Sequence, residues 1–86
     1  MLLCDGYEAA FIGVMFRFGI SEPVAAYDRK KCIEIILRDG CTWAEAEEFF
    51  EFNILGAWMG ELTPVFIEVE PLSDALDGII TSEDLA

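Results

Sequence analysis

The sequence predicts a small α+β domain with the element order β-β-α-α-β, in which about three antiparallel strands pack on two helices. Three observations carry that reading. The run "FIGVMFRF" at 11–18 is rich in aromatic and β-branched residues, two stretches open on good helix caps at Asp28 and Thr42, and "LTPVFIEVE" at 62–70 alternates with a period of two. A chain of 86 residues makes one domain, taken here as residues 1–70, followed by an acidic tail over 71–86 that is expected to be mobile or loosely docked.

The first strand is expected over 11–18, with Gly19 to Pro23 supplying turn chemistry before the short run "VAAY" at 24–27. Together these read as a hairpin. A helix is the alternative, since Tyr7, Phe11, Val14 and Phe18 also fall on one helical stripe. Asp28 then stands at an N-cap, where its carboxylate accepts from the first free amides of a helix running to about Arg38 and closed by Gly40. Cys32, Ile33, Ile36 and Leu37 form its dry stripe, and Lys30, Glu34 and Arg38 a solvated one at four-residue spacing.

Thr42 and Glu45 form a capping box of the T-x-x-E kind, which fixes the start of a second helix expected over 43–59. At 100° per residue, Trp43, Ala46, Phe50, Asn53, Ile54 and Ala57 share one face. Glu45 and Glu48 lie opposite, and further along that side Phe52, Leu55 and Met59 make a second apolar stripe. A lone small domain would leave this stripe wet, so the N-terminal strands, the C-terminal tail or a second copy of the chain should cover it. The last strand follows, with Pro64 at its beginning, where no ladder hydrogen bond is lost.

Composition sharpens the question of partners. Apolar residues make up 55% of the chain and aromatic ones 13%, more than one small globule needs, which suggests a self-association surface and a homodimer. The longest stretch without a charge, Phe52 to Gly60, is too short to span a bilayer. The opening "MLLCDG" lacks a basic leader, so a cytoplasmic location is expected. Charge is strongly one-sided: residues 1–40 hold five basic and six acidic groups, whereas residues 41–86 hold eleven acids and no base, out of a net −12. Such a surface repels phosphate backbones and attracts a basic protein surface, although solubility alone would also account for it.

Common catalytic constellations are missing. The chain has no histidine, no G-x-x-x-x-G-K and no G-x-G-x-x-G, and Cys4, Cys32 and Cys41 read as buried free thiols, not as a disulfide framework or a zinc site. No cofactor, metal or catalytic residue is assigned. Carboxylates remain a possible basis for a small metal-dependent enzyme or ligand-binding site, centred on Asp5, Asn53 and Glu61. Asn53 on the dry face must find partners, either in a structural hydrogen bond to the turn near Thr63 or in a contact to a ligand. Trp58 reads as core or as an interface anchor.

The pieces "DGYEAAFIG", "VAAYDRKKCIEIILRDG", "AEEFFEFNILGAWMGE" and "TPVF", in this order, resemble a group of small acidic proteins encoded by tailed bacteriophages and prophages. The likeness spans roughly residues 5–67, and F-N-x-x-G-A-W-x-G-E-x-T-P, from Phe52 to Pro64, is its most specific part. It brings no catalytic residue. What it implies is action in the bacterial host cytoplasm, often on a host protein or defence system. The combined expectation is a non-catalytic inhibitor or modulator of a host nucleic-acid-handling or defence protein. Its acids Glu45, Glu48, Glu51, Glu68 and Glu70 would occupy a basic channel, with Phe52, Leu55 and Met59 as apolar anchors. A structural phage component is a further alternative.

Overall fold

A computed structural model of the chain describes residues 1–74; the expectation of a mobile or docked tail falls mostly outside them. A 3-10 turn (Glu8–Ala10) leads into strand β1 (Phe11–Met15), which pairs antiparallel with β2 (Val24–Asp28). Helix α1 (Arg29–Leu37) follows β2 without a linker, and helix α2 (Trp43–Phe50) runs on into a π-helical turn (Glu51–Leu55). Strand β3 (Val65–Ile67) completes a sheet of order β1-β2-β3. The architecture is the expected α+β one in the expected order.

The sheet is mixed, however, and not wholly antiparallel. β3 runs parallel to β2, with Ala26 opposite Val65, Tyr27 opposite Phe66 and Asp28 opposite Ile67. Two helices and the segment 56–64 separate these strands, and so long a connection permits a crossover that a tight turn does not. Alternation in a short strand gives its faces but not its direction. The strands are also shorter than the patterns suggested: β1 stops at Met15, leaving Phe16 and Phe18 outside the ladder, and β3 stops at Ile67.

Capping behaves as the sequence indicates. The Lys31 amide donates to Asp28 Oδ1 at 3.0 Å, and the Glu45 amide donates to Thr42 Oγ1 at 3.2 Å while the Thr42 amide donates to Glu45 Oε1 at 2.9 Å. Both helix starts are thereby fixed by local chemistry. Gly40, at φ +90°, closes α1 as its amide donates to the Leu37 carbonyl at 3.0 Å. A left-handed residue is what this termination requires.

One core joins the layers. Ala10, Ala25, Tyr27, Cys32, Ile33, Ile36, Ala46 and Phe50 are buried together, with Ile54 and Phe66 packed against them. An aromatic chain runs through it. Phe11 meets Tyr27 edge-on at 5.6 Å, Tyr27 stacks on Phe66 at 5.9 Å, and Phe66 meets Phe50 edge-on at 5.0 Å, linking all three strands to α2. The Tyr27 hydroxyl accepts from the Cys4 amide at 2.8 Å and so ties down the N-terminal segment.

The second helix departs most from its expected form. Regular α geometry ends at Phe50, and the Gly56 amide donates five residues back, to the Glu51 carbonyl, at 3.0 Å. Each turn here takes more residues than an α turn does. Asn53 therefore falls short of the dry face, whereas Ile54 packs against the core as expected. Asn53 is exposed, and its Nδ2 donates to the Phe49 carbonyl at 3.1 Å, within the same helix. Among the described residues it makes no bond to the turn near Thr63, where Thr63 Oγ1 accepts from the Met59 amide and donates to the Gly60 carbonyl, both at 2.7 Å. Met59 lies beyond the helix altogether.

Candidate interaction face

The outward side of α2 gathers charge and aromatic surface in one place. Glu45, Glu48, Phe49, Phe52 and Asn53 line a shallow cleft of about 330 Å³. Spacings of three and four residues bring these side chains onto one helical face, and the π turn keeps Phe52 there beside Asn53. Phe52 is 77% exposed, Phe49 and Leu55 about half, and Met59 continues the apolar surface past the helix end. The wet second stripe inferred from sequence is therefore present at Phe52, Leu55 and Met59, and none of the described elements buries it.

Glu45 does two jobs. The Thr42 backbone amide, and after it the Thr42 hydroxyl, hold its carboxyl below the ordinary carboxylate value, so it stays ionised at neutral pH. The Glu48 carboxylate makes no hydrogen bond or ion pair among the described residues.

The acids on the neighbouring side of the same helix share a cation of the chain's own. Arg29 reaches Glu47 at 3.1 Å, Glu51 at 3.2 Å and Glu68 at 3.3 Å, and its guanidinium lies 5.7 Å from the centre of the Phe50 ring. Partial burial of Arg29 lowers its pKa, but the hydrogen bonds and charges of Glu47, Glu51 and Glu68 outweigh it and leave the pKa raised. The acids grouped together in the sequence thus stand in two different settings. Glu51 and Glu68 are already paired with a cation, whereas Glu45, Glu48 and the exposed Glu70 are not. Lys30, Glu34 and Arg38 are exposed, as expected for a solvated stripe, and form no ion pair with one another.

The alternative centre does not assemble. Asp5 lines a cavity with Met1, Leu3, Cys4, Glu8, Phe11 and Tyr27, Asn53 lies in the α2 cleft, and Glu61 lines a third cleft with Arg17, Phe18, Gly19, Ile20 and Trp58. Among the described residues no three histidine, cysteine or acidic side chains form a set suited to holding a metal ion. Trp58 is not core: it is 75% exposed at the rim of the third cleft. The thiols are free, Cys32 buried and Cys4 and Cys41 half-buried. Burial pushes the Cys32 thiol up to about 11, with the nearby Cys4 and Asp28 adding to the effect.

Two participants were missed in the sequence. Phe49 was placed on neither face, although its spacing from Glu45 and Phe52 brings it between them. Arg29 stands in sequence as the first of three consecutive basic residues, and its proximity to the acids of α2 exists only in the fold.

Compared with known protein families, curated proteins and solved structures, the chain matches none. No helix among the described residues is long and apolar enough to cross a membrane.

Proposed function

We propose that this chain is a non-catalytic binding module that docks on a basic protein surface through the outer face of α2. The observation that carries this reading is the cleft in which Glu45 and Glu48 stand beside Phe49 and Phe52 with no cation of the chain's own among the lining residues. Two carboxylates and two ring faces suit a lysine or arginine side chain, which gains charge pairing and cation–π contact together. Arg29 models the same chemistry inside the molecule, seated between Glu47, Glu51 and the Phe50 ring. Leu55 and Met59 extend the apolar contact, and Glu70 adds to the long-range field.

A surface that binds nucleic acid is basic and grooved, and an acidic module of this kind competes for it. With the sequence's resemblance to small acidic phage proteins, this supports an inhibitor or modulator of a host nucleic-acid-handling or defence protein, acting in the bacterial cytoplasm. The test is capture from host lysate on the wild-type chain and on a Glu48→Lys, Phe52→Ala variant, followed by competition of the captured protein with its nucleic acid. Loss of a basic nucleic-acid-binding protein from the variant, and displacement of nucleic acid by the wild type alone, support the reading. Equal capture by both chains overturns it.

A further inference from the structure

We infer that the open edge of β1 is a self-association site, at which a second copy of this chain pairs antiparallel about a two-fold axis near Val14. β1 ends the sheet, bonded to β2 on one side only, so its outward backbone groups have no strand partner among the described residues. No residue from Ala9 to Phe16 is charged. Phe11, Ile12 and Val14 are each about two-fifths exposed, and Phe16 and Phe18 just beyond the strand are 76% and 103% exposed. Natural edge strands are ordinarily blunted by charge, proline or brevity.

The opposite edge is guarded in that way. β3 is three residues long, Pro64 precedes it, and Glu68 and Glu70 follow it. β1 is five residues long with neither charge nor proline in it, and its one blunting feature is the register irregularity between Phe11 and Gly13. A single self-complementary strand generates a closed pair by two-fold symmetry.

Charge selects the same place. Two copies of net −12 repel one another, and most strongly where residues 41–86, with eleven acids and no base, face each other. Residues 1–40, with a net charge of −1, offer the approach of least repulsion. Pairing through α2 would instead set Glu45 and Glu48 against their own copies. The homodimer expected from composition is thus located at the hairpin and not on the α2 stripe, which stays open to a partner.

Sedimentation of the full chain from low micromolar to near-millimolar concentration tests this. The expected species has twice the 9.6 kDa chain mass, and higher salt strengthens it by screening repulsion. The outward-facing backbone amides of Phe11–Met15, those not already bonded to β2, should gain hydrogen-exchange protection as concentration rises. Val14→Lys, which sets like charges across the axis, should give a folded monomer by sedimentation and circular dichroism. If that variant fails to fold, Phe16→Glu with Phe18→Glu, outside the ladder, must give the monomer instead. Phe52→Glu should remain dimeric. A wild-type chain that stays monomeric throughout, or a dimer that Phe52→Glu dissolves and both hairpin variants leave intact, overturns the inference.

Discussion

Arg29 donates from Nη2 to Glu47 Oε2 at 3.1 Å, joining the first residue of α1 to the inner flank of α2. The same nitrogen reaches Glu51 at 3.2 Å and Nη1 reaches Glu68 at 3.3 Å, so one cation ties α1 to α2, its π turn and the residue after β3. Arg29 is 22% exposed, whereas its three carboxylate partners are between 42% and 59% exposed, so each pair ranks with surface pairs in strength. Added to the contact with the Phe50 ring, the set contributes about 1–2 kcal/mol.

Replacing Arg29 by methionine should therefore lower the unfolding free energy by about 1–2 kcal/mol, which is roughly 4–15 °C in melting temperature for a domain of this size. Urea titration and thermal melts measure it. Arg29→Lys should recover less than half of the loss, because an ammonium cannot hold three carboxylates with a planar fork. A melting temperature unchanged in Arg29→Met would mean that the three acids tolerate one another unaided.

The α2 cap should show itself in the acid limb of stability. Glu45 has a lowered pKa when folded, so its contribution is complete above its unfolded pKa and is lost as pH falls through the lower folded value. Thr42→Ala removes the hydroxyl, the lesser of the two donors that lower it, leaves the backbone amide in place, and should cost about 1 kcal/mol at neutral pH through the lost cap. Its stability should also fall less steeply than the wild type's as the medium is acidified. Denaturant midpoints measured from neutral to acidic pH for the two proteins give the comparison.

Both helix starts were legible because capping is local: Asp28 bonds the amide of Lys31 and Thr42 that of Glu45, three residues away in each case. The buried stripe of α1 was legible for a similar reason, since Cys32, Ile33 and Ile36 follow helical periodicity. Asn53 was misplaced because a fixed 100° step assumes a regular helix, and the π turn from Glu51 to Leu55 breaks that assumption. The direction of β3 and the reach of Arg29 to Glu68 are long-range relations, which neither period nor composition encodes. Of the site, the acids and the Phe52 stripe could be read from the sequence. Which acids remain without a cation could not.

Cys32 gives an alkaline test. Its thiol pKa is raised from 9.0 to about 11, so the protonated form is favoured by folding. The resulting stability is fully present below the unfolded pKa and is lost as pH rises through that interval. Stability should fall between pH 9 and about 11, and Cys32→Ala should flatten that limb while costing neutral-pH stability through the cavity it leaves. In a timed thiol-labelling experiment, Cys32 should react at the rate of unfolding, after Cys4 and Cys41, because it is buried and they are half-buried.

Acids of one helix should differ in their effect on partner encounter. Glu48 has no cation among the described residues, whereas Glu51 is held by Arg29 at 3.2 Å. Reversing Glu48 to lysine should slow association with a basic protein severalfold while changing stability by less than about 0.5 kcal/mol. Reversing Glu51 sets lysine against Arg29, so it should lower stability as well as rate. Charges act on encounter over a screening length of roughly 8–10 Å near physiological salt, so the wild-type rate should fall as salt rises. The Glu48→Lys rate should depend less on salt. Stopped-flow association at several ionic strengths, with melting curves beside it, separates the two acids. A rate unchanged by Glu48→Lys and by salt would leave the acids a role in solubility alone and shift partner selection to Phe52 and its apolar neighbours.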